Sequence, residues 1–248
     1  MSAIYILWLR QLKRYLRSRA RIVGSLGQPL LFLLALGYGF GPVYQQAGGG
    51  DYIQFLAPGV VAMGILFTAV FSGIEIIWDR QFGFLKETLV APVSRLQIVM
   101  GRTLGGATVA LIQGMIVLGV CCLAGFRVQD WTLLPMALLV MFLIALLFTA
   151  LGTAIASLLD DMQGFQLIMN FLVMPLFFLS GALFPLDRVP EAMKTIIFID
   201  PLSYGVDGLR SMLIQTSHFG LSLDLAVLSV STLFVVAVAS YLFSRIQI

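Results

Sequence analysis

The sequence predicts an all-α membrane protein with six transmembrane helices, and three observations support that prediction. The mean hydropathy is +1.00 and 60% of the residues are hydrophobic, which is far outside the range of water-soluble domains. Six apolar runs approach or exceed the roughly 20 residues that a helix needs to cross the hydrocarbon layer. None of them shows the strict alternation of a membrane barrel. The predicted spans are 22–44, 52–78, 103–126, 131–159, 165–184 and 225–243.

The positive charges predict that both termini lie in the cytoplasm. With six spans, both ends of the chain share one side of the membrane, and that side carries eleven of the 15 Lys and Arg residues. Positively charged loops are retained on the cytoplasmic side. We therefore expect a multi-pass protein of a bacterial cytoplasmic (inner) membrane, N-in and C-in. No basic and aromatic pattern indicates nucleic acid binding. The four cations on the other side are Arg127, Arg188, Lys194 and Arg210.

Residues 1–21, which precede the first span, are predicted to form an amphipathic interface helix over 4–21. Apolar side chains recur at three- and four-residue spacing, and cations take the opposite face. We expect this helix to lie in the inner interface, with its cations against anionic lipid. It is either a simple anchor or a movable element that borders a substrate path and touches a partner. The apolar set is Tyr5, Trp8, Leu9, Leu12, Tyr15 and Leu16, and the cationic set is Arg10, Lys13, Arg14, Arg17 and Arg21.

The loop 79–102 concentrates ionisable residues between two spans that are almost free of charge. Residues 82–90 are predicted to form a two-turn surface helix with Phe82, Leu85 and Leu89 on one face. Pro92 should end this helix. A capping box of Ser94 and Gln97 should then begin the next one. A short helix clamped in this way can transmit a push from a soluble partner into the membrane.

The external segment 185–224 is predicted to contain two short helices, 190–198 and 201–214. Pro190 and Pro201 suit the first turn of a helix. Neither helix is long enough to span, and short helices at membrane depth are tolerated where protein covers them. We therefore expect a re-entrant helical hairpin on the outer side.

Several local signals mark helix ends and close helix contacts. Asp51 with Gln54, and Asp130, are predicted N-caps of the second and fourth spans. Asp160 and Asp161 should close the fourth span on the inner side. Glycines at GxxxG spacing allow helices to approach closely, and they occur as Gly37 with Gly41 and Gly101 with Gly105.

Two polar residues within the spans are candidate pathway residues. Glu75 lies near the inner end of the second span, and an intramembrane carboxylate is a functional hypothesis by default. The alternative is a paired or snorkelling interfacial residue. Asn170 in the fifth span either lines a pathway or donates an interhelical hydrogen bond.

Several kinds of chemistry have little basis in this sequence. The single histidine, His218, is external, which leaves metal clusters and serine or cysteine triads without partners. Cys121 and Cys122 are adjacent within the third span and are best read as small hydrophobic residues. No Gly-Lys pair occurs, so the chain has no Walker phosphate loop. We therefore predict a permease that is not an enzyme and has neither a metal nor a cofactor of its own.

Two segments, 179–213 and 85–102, carry a family resemblance that the span count extends over nearly the whole chain. It resembles the membrane subunit of type-2 ABC exporters, of the daunorubicin-resistance and nodulation-factor export kind. Asp200 stands where that family more often has Asn before the proline. The matching positions are Gly181, Pro185, Pro190, Asp200, Pro201, Tyr204 and Arg210.

The resemblance implies that 1–248 is a single transmembrane permease domain that forms a homodimer. Each copy would bind a separate ATPase subunit, which holds ATP and Mg, through a coupling helix in 79–102. The implied coupling positions are Arg80, Phe84, Leu85, Lys86, Glu87 and Pro92. The implied outer-gate positions are Pro185, Pro190, Pro201, Tyr204 and Arg210.

The expected substrate is hydrophobic or amphipathic, such as a drug, a lipid or a glycolipid-like molecule. One alternative is a permease that exports polysaccharide or lipo-oligosaccharide. Another is a secondary transporter that works without a partner, with Glu75 as its protonatable group. An intramembrane protease is disfavoured, because Ser180 has no histidine and Asp207 no second aspartate within the spans.

Overall fold

A computed structural model describes residues 2–48, 50–90, 92–186 and 189–246, apart from the side chains of Lys86, Leu89 and Ala192. Within these ranges every regular element is a helix. Asp187 and Arg188, including one of the cations counted above, lie outside the described residues. The elements are α1 Ala3–Arg17, α2 Arg19–Gly24, α3 Gly27–Gln46, α4 Tyr52–Phe71, α5 Ile74–Gln81, α6 Phe84–Val90, α7 Arg95–Leu123, a 3-10 turn Trp131–Leu133, α8 Leu134–Leu158, α9 Met162–Leu179, α10 Glu191–Ile199, α11 Pro201–Ile214 and α12 Leu221–Ser244.

Among the described residues, six helical segments are long and apolar enough to cross a membrane, which confirms the predicted all-helical class with six spans. Two of the six are built from consecutive helices, α2 with α3 and α4 with α5. The third begins at Arg95, within the polar loop, and the fifth ends at Leu179, before the predicted limit of 184. The segments are Arg19–Gln46, Tyr52–Gln81, Arg95–Leu123, Trp131–Leu158, Met162–Leu179 and Leu221–Ser244.

Helix α4 forms the centre of the bundle. Of its 20 residues, 14 are buried, and it contacts α3, α7, α8 and α11. Glycine positions allow this close approach: a Cβ at Gly59 would lie 2.7 Å from the Ala182 carbonyl oxygen. Helices α3, α9 and α12 lie at the periphery, and in the most apolar stretch of their spans only 17%, 22% and 17% of the residues are buried. In a bilayer, lipid or a second protein chain covers such surfaces.

The second span is broken where it meets the fourth. Helix α4 ends at Phe71, Ser72 and Gly73 form a turn, and α5 begins at Ile74. A Cβ at Gly73 would clash with the carbonyl group of Gly152, and a Cβ at Gly152 would clash with that of Val70. The two backbones are therefore in direct contact. This contact sets the position from which α5 leads into the polar loop.

The N-terminal helix differs from the prediction in two respects. It ends at Arg17, and Ser18 has non-helical dihedral angles (φ −98°, ψ 78°), so the continuous helix predicted over 4–21 is wrong. The side chains buried against the bundle are Gln11 and Tyr15, whereas Tyr5 and Leu16 are 44% and 57% exposed. The bundle therefore buries only part of the predicted apolar stripe, together with the polar Gln11.

Glycines of α7 explain which face of α1 is buried. A Cβ at Gly101 would lie 2.9 Å from the Leu7 Cβ, and one at Gly105 would lie 3.0 Å from the Gln11 Cβ. The GxxxG pair of α7 thus accommodates the backbone of α1. Trp8 and Tyr15 add hydrogen bonds from α1 to Thr108 (3.0 Å) and Gln113 (2.6 Å) of the same helix.

The predicted N-caps are confirmed, with one correction. Asp51 accepts a hydrogen bond from the Ile53 amide (2.9 Å), and Ser94 accepts one from the Gln97 amide (3.3 Å). The reciprocal role predicted for Gln54 is wrong, because its side chain bonds the Gly125 carbonyl and the Arg127 amide of the next loop instead. Asp130 caps the 3-10 turn before α8, and Asp161 caps α9.

Candidate functional site

Two carboxylates one turn apart on α5 bind the helices beside them. Asp79 accepts a hydrogen bond from Arg10 (2.5 Å) and also pairs with Arg102 of α7. Glu75 pairs with Arg21 (3.1 Å) and with Arg14 (3.7 Å). Both carboxylates are buried and are therefore largely shielded from solvent. Helix α5 is therefore joined to α1, α2 and α7 by charge.

Two arginines join the polar loop to the ends of other helices. Arg80 donates to the Leu159 carbonyl (3.0 Å) at the end of α8 and pairs with Asp160. Arg95 donates to the carbonyls of Ser244 and Ile246 at the end of α12. Cations are favoured at helix C-termini, where unpaired carbonyls carry partial negative charge. The loop 79–102, α1 and both chain ends thus lie at one end of the bundle, called here the termini end.

Helix α6 lies at the termini end, and Leu85 is the buried one among its described side chains. Leu85 is 3% exposed, whereas Phe84 and Val90 are 54% and 81% exposed. Glu87 and Pro92 are also exposed, and the side chain of Lys86 lies outside the description. The outward side of α6 is therefore open to a partner.

The predicted start of this surface helix at 82 is wrong. Gly83 has a φ of +81°, a left-handed conformation that ends α5 and separates it from α6. Phe82 caps α5 and is 67% exposed, so it is not on a buried face with Leu85. The sharp turn at Gly83 gives α6 a direction of its own, independent of α5.

The two candidate pathway residues have different surroundings. Glu75 is engaged with Arg14 and Arg21, as its paired interpretation requires. Asn170 is exposed on α9, between Leu167 (72% exposed) and Phe171 (84%). Within the described part of this chain Asn170 makes no side-chain hydrogen bond, so the predicted interhelical bond is not formed inside one subunit.

At the opposite end of the bundle, α10 and α11 occupy nearly the predicted ranges. Asp200 accepts a hydrogen bond from the Leu202 amide (2.9 Å) and caps α11. Pro190 caps α10 and is exposed, and Pro201 is the first residue of α11. Twelve of the 14 residues of α11 are buried.

The predicted outer-gate residues Tyr204 and Arg210 connect α11 to its surroundings. Tyr204 donates to the Phe198 carbonyl of α10 (3.0 Å). Arg210 donates to the carbonyls of Gly181 (2.8 Å) and Ala182 (3.1 Å), and its guanidinium lies 3.9 Å from the centre of the Phe55 ring. Pro185 lines a cavity beside Arg210. Arg210 therefore links α11 to the chain that follows α9.

Asp207, at the end of the bundle opposite the termini end, was not among the predicted site residues. Its carboxylate accepts hydrogen bonds from the Phe219 amide (2.8 Å), the His218 amide and the Ser217 hydroxyl (both 2.9 Å). These bonds hold the turn between α11 and α12. No signal in the sequence marks Asp207, because its partners are brought together only by this turn.

Asp200 is expected to make the stability of the protein depend on pH. Burial raises the pKa of this carboxyl to about 7, and the capping bond opposes the rise. The folded state therefore favours the protonated carboxyl, and stability should fall as the pH rises from about 4 towards 7. Asp200→Asn keeps an oxygen for the cap and removes the titration. It should melt at a higher temperature than the unmodified protein at pH 8, with a smaller gain at pH 5.

Asp161→Asn is the matched control for this prediction. Asp161 is also an N-cap, with a 2.7 Å bond from the Gly164 amide, but its side chain is exposed. The control should show no gain at pH 8. Thermal unfolding in detergent provides the measurement, and an equal shift in both variants would contradict the role of burial.

The ion pairs of α5 were only partly foreseeable from the sequence. Glu75 and Asp79 are four residues apart, as are Arg10 and Arg14, so each helix presents its charges on one face. That spacing predicts one helix with an acidic face and one with a basic face, which could pair with each other. The pairing itself depends on α1 and α5 being neighbours, which no local pattern specifies.

Comparison with known proteins shows the family to which this chain belongs. The sequence profile of the ABC-2 type transporter family matches residues 2–214, which extends from α1 to the end of α11. The chain belongs to the ABC-2 type transporter family. It is therefore the membrane subunit of an ABC transporter, an integral multi-pass protein, and an ABC ATPase is the partner that this family implies.

Similar proteins include several named nodulation protein J. The one from Rhizobium leguminosarum bv. trifolii is 32% identical over 212 residues, covering 85% of this chain and 78% of the relative. The one from Rhizobium leguminosarum bv. viciae is 29% identical over 213 residues, covering 85% and 82%. The one from Rhizobium meliloti (strain 1021) is 30% identical over 206 residues, covering 82% and 78%. These matches confirm the resemblance stated from the sequence.

Proposed function

We propose that this ABC-2 subunit moves a hydrophobic or amphipathic substrate outward, using ATP that the partner ATPase binds with Mg and hydrolyses. The partner binds at α6 in the loop 79–102, and the termini end faces the cytoplasm. The charge distribution supports the cytoplasmic placement, because eleven of the 15 Lys and Arg residues are expected on that side and positively charged segments are retained in the cytoplasm.

The observation that carries the proposal is the contrast between the two sides of α6. Its outward side exposes Phe84, Glu87 and Val90. Exposed apolar side chains beside charges are typical of protein contact sites. Its inward side is anchored by Leu85. The loop on either side of α6 is bound to α1 through Asp79, to the end of α8 through Arg80 and to the end of α12 through Arg95. A force on α6 therefore has a route into the bundle.

That route follows the charge contacts of the loop. A displaced α6 moves α5 through Gly83, and α5 carries Asp79 and Glu75, which hold Arg10, Arg14 and Arg21. Arg80 and Arg95 pass the same displacement to the ends of α8 and α12. Packed elements of this kind switch between discrete arrangements rather than bending gradually. ATP-driven closure of the partner would in this way rock the spans and open the far end.

We further propose that two copies enclose the pathway and that α10 and α11 form an outer re-entrant gate. The burial of α11 supports the gate, since half-length helices at membrane depth need cover from protein. The exposed face of α9 supports an interface or pathway there, because the amide of Asn170 lies between Leu167 and Phe171 and favours a protein or water surface over lipid.

The coupling role of α6 can be tested with Phe84→Ala combined with Glu87→Ala. Loss of a central contact residue weakens an interface by about 2 kcal/mol, or roughly 30-fold in affinity. The variant should bind the purified ATPase subunit correspondingly more weakly in nanodiscs. ATP-driven movement of a fluorescent amphipathic dye in proteoliposomes should fall with it. Insertion and melting temperature should not change, because both side chains are exposed.

Glu191→Ala is the control for this experiment. Glu191 is exposed in the first turn of α10, at the opposite end of the bundle. It should leave ATPase binding unchanged. Normal binding and dye transport in the α6 variant would refute the assignment of α6 as the coupling helix.

The alternative of a partner-independent secondary transporter has less support. Its candidate residue, Glu75, is buried and already forms ion pairs with Arg14 and Arg21. Ion-driven flux by this chain without an ATPase, abolished by Glu75→Gln, would favour that alternative.

A further inference from the structure

A groove runs between the N-terminal helices and α4–α5 at the termini end of the bundle. It consists of two cavities of about 220 and 240 Å³ that share Arg21 and Phe71 and therefore lie side by side. One part is lined by Arg14, Arg21 and Trp78, and the other by the apolar side chains of Phe67 and Pro29. The groove thus has a cationic end and an apolar end.

The cationic end carries an excess of positive charge. Two guanidinium groups, of Arg14 and Arg21, share the single carboxylate of Glu75, which leaves a net charge of +1. Each guanidinium has five N–H donors. Arg21 uses one of them on Glu75, and Arg14 donates no hydrogen bond within the described part of the chain. Unused guanidinium donors suit the oxygens of a phosphate or carboxylate group.

The position of these arginines favours a ligand that comes from the membrane. Their side chains are 39% and 34% exposed, so water or a headgroup can reach them. The guanidinium of Arg14 lies 5.2 Å from the centre of the Trp78 ring. Tryptophan and arginine at the end of a membrane-spanning helix are typical of the headgroup region.

The apolar end offers a continuous surface for a hydrocarbon chain. The rings of Phe67 and Phe71 are stacked with their centres 6.3 Å apart, and both are half-buried. Gly64 and Pro29 line the same cavity beside the two rings. Phe71 reaches into both cavities. A chain that lies along these rings would have its headgroup at the arginines.

We propose that this groove binds a lipid-like amphipath with an anionic headgroup, taken from the adjacent membrane leaflet. The headgroup contacts Arg14 and Arg21, and the hydrocarbon chain lies against Phe67 and Phe71. The excess positive charge selects anionic over cationic amphipaths, which narrows the substrate class. Only the statement that the occupant is transported rests on the proposed export function; the binding itself does not.

The binding can be measured by quenching of Trp78 fluorescence in the full chain. The protein has three tryptophans, so Trp8→Phe with Trp131→Phe leaves Trp78, which lines the groove, as the sole tryptophan for selective excitation. The reporter variant is placed in phosphatidylcholine bilayers that contain a small fraction of lipid with brominated chains. Brominated phosphatidylglycerol should quench several-fold more than the same fraction of brominated phosphatidylcholine or of a brominated cationic lipid.

Matched charge variants separate the groove from the general surface charge. Arg14→Gln with Arg21→Gln should abolish the preference for the anionic lipid. Arg17→Gln with Arg19→Gln removes the same charge from exposed positions of α1 and α2 outside the groove and should keep the preference. Equal quenching by all three lipids in the unsubstituted groove would overturn the proposal. So would an equal loss of preference in both double variants.

A further variant covers the case in which removal of both arginines prevents folding. Gln28 lines the groove, is half-buried and makes no side-chain hydrogen bond to the described residues, so Gln28→Glu should fold while adding a repelling charge. It should reduce the preference for the anionic lipid, and an unchanged preference would count against the site. Inorganic phosphate should fail to displace the lipid, whereas displacement would show a site for free phosphate instead. Because the assay contains neither ATP nor the ATPase, its failure is distinguishable from failure of the coupling experiment.

Discussion

Asp79→Ala is expected to destabilise the protein by about 3 to 5 kcal/mol, the usual effect of removing one partner from a buried ion pair. Arg102 is 3% exposed and has Asp79 as its carboxylate partner, so the substitution leaves a buried cation uncompensated. The variant should express poorly and melt at a much lower temperature in detergent. The physical reason is desolvation: the guanidinium cannot regain water in its position on α7.

Two further variants test this explanation. Arg102→Met combined with Asp79→Ala removes both charges and should recover most of the lost stability. Arg10→Gln removes the other cation that pairs with Asp79. Because the Arg10 side chain is 41% exposed, this substitution should have a small effect on stability. If the double variant were as unstable as Asp79→Ala, the loss would not come from the unpaired arginine.

Gly152→Ala is expected to disrupt the contact between the second and fourth spans. The new Cβ would clash with the Val70 carbonyl, and backbone atoms cannot move aside as a flexible side chain can. Overpacking of a well-packed site destabilises by about 1 to 3 kcal/mol. Because Gly73 meets Gly152 directly, the variant should also shift α5 and weaken the pairing of Glu75 and Asp79.

The measurements are thermal unfolding and ATPase binding, and Gly119→Ala is the control. Gly119 lies in the membrane-spanning helix α7, and a Cβ there would meet no atom within 4 Å. It should keep or slightly raise the melting temperature, because alanine loses less backbone entropy than glycine in a helix. Equal stability of the two variants would show that the spans do not touch at Gly152.

The elements of the fold were predictable because their signals are local. Apolar run length specifies a membrane helix, since each backbone group is satisfied within its own segment. The caps at Asp51 and Ser94 and the proline starts of α10 and α11 depend only on neighbouring residues. These were the most accurate predictions.

The face that α1 presents to the bundle could not be read in the same way. Tyr5, Tyr15 and Leu16 all belong to its apolar stripe, yet the bundle buries only Tyr15 of these three, together with the polar Gln11. A stripe of apolar residues at a membrane surface has two apolar environments to choose from, lipid and protein. The buried face of α1 is the one that fits the surface of α7 at Gly101 and Gly105, which are distant in the sequence.

By itself, the sequence determined the class of the protein, the number of spans, the capped starts of α4 and α7, the proline starts of α10 and α11, and the polar loop as the region of interest. Only the tertiary structure decided which charges pair: Asp79 with Arg10 and Arg102, and Glu75 with Arg14 and Arg21. It also decided that α6 exposes one side and that a groove lies beside the arginines. The reason is the distance along the sequence over which each effect acts. Helix caps and hydropathy depend on residues close together in the sequence, whereas ion pairs and cavities form only when helices that are distant in sequence become neighbours.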